Sequence, residues 1–202
     1  MAKSILVQHW RQLDGSVHPS DAPVFESGEH RFNLDWPPPA YIGDIENSPF
    51  VLLMMNGGYD PKITPTEFPD QTAVQRYLEY LHDPRPINPK SISPYYDAGN
   101  YGHHIESGRL ALVNAVAYRS GKLSAERDNA RLAERLPSTL LHRRWLREEL
   151  APQALAGDRV IIAHRNGMWK IRQHEYQHPN IIFTNSGASP YLPRQVLDLL
   201  SG

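Results

Sequence analysis

An α/β fold built on a central four-stranded parallel sheet, with helices layered on both faces, is the fold class this sequence predicts. Three observations predict it. Residues 50–55 form a six-residue apolar run that stops at Asn56-Gly57-Gly58, as a buried parallel strand stops at a turn. Three more apolar runs follow at 110–117, 159–163 and 180–184. Segments with helical spacing and capping residues separate them, and strands alternating with helices argue for a parallel sheet.

Taken in order, the first 48 residues read as an arm, with a short helix near the start and the rigid Pro37-Pro38-Pro39 near the end. Residues 49–202 then form the domain. Asp70 is placed to cap a helix whose Val74, Tyr77, Leu78 and Leu81 recur at helical spacing. Residues 83–108 are irregular and rich in Pro, Tyr, Asn and His; a loop of that length in a compact domain points to function. Ser124 and Ser138 are placed to cap helices over 125–136 and 139–150, divided by Pro137.

Bulk properties narrow the partners. A chain of 202 residues can bury a sizeable core. Its net charge of -1 excludes a wholesale basic surface, so any phosphate contact comes from a local patch. With no cysteine, disulfides, thiol nucleophiles, zinc–thiolate sites and iron–sulfur clusters are excluded. No apolar run approaches the ~20 residues of a membrane span, and the first ten residues lack a signal-peptide core. The expectation is a cytoplasmic monomer.

Open α/β sheets hold ligands at the carboxyl ends of their strands, and that is where Asn56 falls. The glycines beside it let the backbone approach a ligand closely. In the second run, Asn114 places an amide amid apolar neighbours. It either ties down a neighbouring loop or reads a flat heterocycle, whose adjacent donor and acceptor a carboxamide binds bidentately. The last run enters Thr184-Asn185-Ser186-Gly187-Ala188-Ser189-Pro190, small and hydroxylic enough to hold a phosphate ahead of a C-terminal helix.

Met54-Met55-Asn56-Gly57-Gly58, Leu112-Val113-Asn114-Ala115-Val116 and Gly187-Ala188-Ser189-Pro190, in this order, resemble the three motifs of the uracil-DNA glycosylase superfamily. Pro39-Ala40-Tyr41-Ile42-Gly43-Asp44 resembles the lead-in of its bacterial members, and the likeness spans about residues 40–194. The resemblance implies a monofunctional DNA glycosylase that flips a deaminated or modified base out of DNA and uses neither metal nor organic cofactor. It implies that Asn56 positions the attacking water, with Asp60 as the alternative. It implies that Asn114 reads the base, with Phe68 stacking on it and Gly57 and Tyr59 lining the pocket. Ser186, Ser189, Arg194, His164 and Lys170 would contact DNA, whether single- or double-stranded, and Tyr191 or Leu192 would fill the gap behind the flipped base. The chain departs from the pattern at Gly187, where the most active members carry a histidine that stabilises the leaving base. That departure keeps a catalytically silent nucleic-acid or base-binding protein open as the alternative.

Two further features carry less weight. His103 and His104 with Glu106 are poor metal ligands, since adjacent histidines on a loop rarely converge; lining the pocket is the role left open to them. Arg143, Arg144 and Arg147 read as a solvated helix face.

Overall fold

The computed structural model describes residues 3–92, 96, 99–184 and 189–202. Its centre is a five-stranded, mostly parallel sheet of β1 (Tyr41–Ile42), β2 (Phe50–Gly58), β3 (Leu110–Ser120), β4 (Val160–Ala163) and β5 (Ile181–Phe183), in the order β1-β3-β2-β4-β5. The four parallel strands are the four apolar runs. The fifth, β1, pairs antiparallel with β3 through Tyr41↔Val113 and Ile42↔Leu112. It is too short to stand out from its proline-rich surroundings, which is why the sequence gives four strands and the structure five.

β3 is buried along its whole length, as an apolar run in a covered sheet requires. It outlasts the apolar run by three residues, because Tyr118, Arg119 and Ser120 find buried polar partners. β2 likewise continues through Asn56 to Gly58, with a bulge in its pairing to β3 between Asn56 and Gly57.

The helices are α1 (Ile5–Trp10), α2 (Ala22–Glu26), α3 (Thr64–Glu67), α4 (Gln71–His82), α5 (Pro89–Ile92), α6 (Gly102–Glu106), α7 (Arg127–Ala133), α8 (Pro137–Trp145), α9 (Ala151–Ala156) and α10 (Arg194–Ser201). Asp70 caps α4, its Oδ1 accepting the Ala73 N–H at 2.9 Å, and Tyr77, Leu78 and Leu81 are buried as their spacing requires. The next two helices correct the sequence reading. Ser124 does not cap α7, which starts only at Arg127. Pro137 does not divide two helices but begins α8, at the position where its missing N–H costs nothing. The cap on α8 comes from far away: Asp21 Oδ1 accepts the Ser138 N–H at 2.9 Å. The helix does not stop at Leu150 either. A π-helical turn over Leu146–Leu150 carries the chain into α9, whose first turn holds Pro152, and Gly157, at φ +89°, ends α9 in the left-handed conformation open to glycine.

The first 48 residues pack into the same core as the rest: Leu6, Val7, Trp10, Leu13, Phe25 and Phe32 are buried among the sheet and α8 residues. Among the described residues no helix is long and apolar enough to cross a membrane.

Strand order decides where a crevice opens. From β2 the chain moves to one side, to β3; from β4 it moves to the other, to β5. The connections diverge between β2 and β4, and sheets of this kind bind ligands at that point, beyond the strand ends. Asn56 stands at the end of β2 and His164 just past the end of β4.

Candidate functional site

The parallel register pairs Met54 with Asn114 and Asn56 with Val116. Asn56 and Asn114 therefore share a face of adjacent strands, offset by two residues, with Cα atoms about 8 Å apart from strand spacing and rise. A base-sized ligand spans that distance.

The two amides differ in how they are held. Asn56 is half-buried, and its Nδ2 donates to Gly57 O at 2.7 Å and Ser120 O at 3.2 Å. Both amide protons are engaged, so Oδ1 is fixed in direction and makes no hydrogen bond among the described residues. Asp60, the alternative for the water, instead closes a turn, its Oδ1 accepting from the N–H groups of Lys62 and Ile63. Asn114 is fully buried. Its Nδ2 donates to Pro39 O at 2.6 Å and to the Tyr96 hydroxyl at 2.9 Å, while its Oδ1 is buried without a partner among the described residues.

His142 fixes the backbone of Asn114 from below. Its Nδ1 bonds Asn114 O at 2.6 Å and its Nε2 bonds Trp10 Nε1 at 2.8 Å. Indole N–H only donates, so Nε2 is the acceptor, Nδ1 carries the proton, and the ring is neutral. Burial holds its pKa down at about 4.

Phe68 does not present an open face. It is buried, with the Trp36 ring stacked on it at 5.3 Å and 10° and Tyr77 edge-on at 5.4 Å. Beside it the Arg119–Glu67 ion pair, 2.7 Å between Nη2 and Oε2, has both side chains fully buried. Arg119 Nη1 also donates to Gly58 O at 3.3 Å, tying the end of β3 to the segment that carries Asn56. Gly57 is needed where it stands: a Cβ there would lie 2.6 Å from Ala117 O and 2.7 Å from Pro39 Cγ. Tyr59 is half-buried at the end of β2.

The residues expected to contact DNA are scattered in exposure. His164 is not a surface phosphate ligand: it is fully buried, with Nδ1 bonding Thr184 Oγ1 at 2.7 Å and Nε2 bonding Ser189 O at 2.9 Å. It ties Thr184 and Ser189 to the end of β4. Lys170 is half-exposed and pairs with Glu134 at 2.8 Å; it and Arg165 have positive φ, framing the turn whose Trp169 donates to Met54 O at 2.7 Å. Leu192 cannot serve as a wedge, being buried with its N–H and C=O both gripped by Asn100. Tyr191 is 54% exposed and can. Arg194 is exposed, with Asp198 4.0 Å away, and Ser189 Oγ accepts the Tyr191 N–H. Ser186 and Gly187 lie outside the described residues.

Two expectations fail on topology and packing. His103 and His104 sit in α6, just ahead of the amino end of β3, whereas Asn56 is at the carboxyl end of the strand parallel to it; they do not line the crevice. Of the arginine cluster, only Arg144 and Arg147 behave as a solvated face. Arg143 is buried, its Nε donating to Met168 O and its Nη1 pairing with Glu134.

Sequence reading missed Trp36, Glu67, Arg119 and His142, which shape the site from a distance in the chain. The one available signal was an arginine inside the strand-like run at 119. It also missed the side chains of His9, His18 and Asp21, whose ligand atoms lie within 4.8 Å of one another. They do not converge on an ion. The imidazoles of His9 and His18 stack at 3.7 Å and 19°, so their lone pairs lie in near-parallel planes. His18 bonds Ser20 Oγ and His9 O, Asp21 bonds Ser138 N and the Tyr118 hydroxyl, and His9 Nε2 is buried without a partner among the described residues.

Comparison with protein-family models, with curated proteins and with solved structures finds no match to this chain.

Proposed function

We propose that this protein is a monofunctional DNA glycosylase of the uracil-DNA glycosylase type, hydrolysing the bond between a deaminated or modified base and its sugar. The observation that carries the reading is the fixed, unoccupied Oδ1 of Asn56, two residues along the neighbouring strand from a buried Asn114. In the proposed reaction the base is flipped into the crevice. Asn56 Oδ1 accepts a hydrogen bond from water and aims its oxygen at C1′. The C1′–N bond breaks with its electron pair leaving on the base, the water oxygen bonds C1′, and the proton passes to solvent. Asn114 holds the base edge. Right-handed crossovers to opposite sides of β2 would place α3–α6 and α7–α9 on opposite faces, the three-layer arrangement the reading requires. With a net charge near zero, backbone contacts fall to the local cations Arg165, Lys170, Arg172 and Arg194, with Tyr191 as the wedge.

Incubating the protein with oligonucleotides bearing uracil, hypoxanthine, xanthine or oxidised pyrimidines, single-stranded and paired, tests this. Release of at least one base, lost in Asn56→Ala, is the expected result. Binding without release of any base would replace the reading with the alternative, a silent member that recognises nucleic acid or base. One observation favours that alternative: Asn114 and Phe68 are covered by residues of the chain itself.

A further inference from the structure

Residues 36–39 touch three side chains that could recognise a flat ring here, those of Phe68, Tyr77 and Asn114. Trp36 lies parallel to Phe68, the geometry in which a nucleobase stacks on an aromatic side chain. Pro38 O accepts from the Tyr77 hydroxyl at 3.4 Å, and Pro39 O accepts from Asn114 Nδ2 at 2.6 Å. Pro39 also packs over Gly57. Trp10, Trp145 and Trp169 are all but fully buried; Trp36 is only half-buried.

These four residues satisfy the slot incompletely. Both Nδ2 protons of Asn114 are used, by Pro39 O and the Tyr96 hydroxyl, but Oδ1 is buried and unpaired among the described residues. Proline supplies a carbonyl and no N–H, so it can meet the donor side of the carboxamide and never the acceptor side. A ring with a carbonyl next to an N–H meets both: the carbonyl takes the place of Pro39 O, and the N–H reaches Oδ1. The carboxamide cannot turn over to suit the opposite edge while Nδ2 faces Pro39 O and Tyr96. Uracil, thymine, hypoxanthine and guanine carry the matching lactam edge. With the ring held where Trp36 lies, adenine and cytosine would set their amino donor against Nδ2 and their ring-nitrogen acceptor against Oδ1, and the carboxamide could accept them only if the ring shifted from that seat.

We propose that residues 36–39 are a displaceable plug filling a lactam-base slot between Phe68 and Asn114, with Trp36 in the place of the stacked base and the Pro39 carbonyl in the place of the base carbonyl. This rests on the reading of Asn114 as the base-recognising residue. The base and the plug exclude each other, so the ring enters only as the arm lifts.

The test is titration of wild type, Trp36→Ala, Trp36→Phe and Asn114→Ala with free uracil, hypoxanthine, adenine and cytosine, after thermal melts establish that each variant is folded. Trp36→Ala should bind uracil and hypoxanthine at least tenfold more tightly than wild type. Trp36→Phe, which keeps a stacked ring, should stay near wild type, and Asn114→Ala should bind neither base. In wild type, saturating uracil should raise the fraction of tryptophan fluorescence quenched by acrylamide, since Trp36 is the residue that moves. This second measurement stands even if Trp36→Ala fails to fold. Uracil binding that Trp36→Ala does not tighten, with quenching unchanged, overturns the plug and leaves the base-recognition reading standing. No binding of any lactam base by wild type or Trp36→Ala overturns both. Equal binding of adenine and uracil overturns the assigned edge.

Discussion

His142 gives a pH dependence that can be worked from its contacts. Its neutral form is required, because Nε2 accepts from the Trp10 indole while Nδ1 donates to Asn114 O. Protonation would set one N–H against another inside the core. In the unfolded chain its pKa is about 6.5; in the fold, burial lowers it to about 4. A folded pKa below the unfolded one means full stability above about pH 6.5, loss as pH falls, and no further change below about 4. The difference is worth about 3 kcal/mol in all, of which roughly 2.5 kcal/mol is lost by pH 4.5. That is a large part of the 5–15 kcal/mol typical of a domain. The stacked His9, lowered to about 3 by burial and by His18 and His142, adds in the same direction. The assay is urea unfolding at pH 7.5, 6.0, 5.0 and 4.5 for wild type and His142→Gln. The variant will be less stable at pH 7.5, since it disturbs two buried hydrogen bonds, but its stability should fall about 2.5 kcal/mol less between pH 7.5 and 4.5. Parallel curves for the two proteins would refute the neutral, buried assignment of His142.

Three other expectations follow from the same geometry. Asn56→Ala should abolish base release while leaving DNA affinity near wild type, because Oδ1 makes no hydrogen bond among the described residues, and should cost about 1–2 kcal/mol of stability, because the Nδ2 hydrogen bonds to Gly57 O and Ser120 O are lost; release at the wild-type rate would move the water to another residue. Arg119→Met removes a fully buried guanidinium from its ion pair with Glu67 and should cost about 3–5 kcal/mol in urea unfolding; a loss below 1 kcal/mol would mean that the pair is solvated. Gly57→Ala drives a Cβ against Ala117 O and Pro39 Cγ and should destabilise by about 1–3 kcal/mol, measurable as a lower urea midpoint and lessened when the arm is loosened by Trp36→Ala.

The sequence by itself determined the elements whose causes are local. The four apolar runs became the four parallel strands because strand segments buried in the core need no alternation of apolar and polar residues, and Asp70 capped α4 because its acceptor lies within three residues of the N–H it serves. The sequence also placed Asn56 at a strand end, since the glycines that follow end the apolar run. Only the tertiary structure decided what surrounds these residues. Ser138 lost its expected capping role to Asp21, 117 residues away, and His142 was set beneath Asn114 by α8. Arg119 found Glu67 across the strand ends, and Trp36 and Pro39 came to lie over Phe68 and Asn114. Each of these pairings joins residues at least 28 apart in the chain, and no period or capping rule reaches so far. Burial decides them: a polar group removed from water takes whichever partner packing brings to it, and that partner is fixed only when the sheet, the arm and the helices have all been placed.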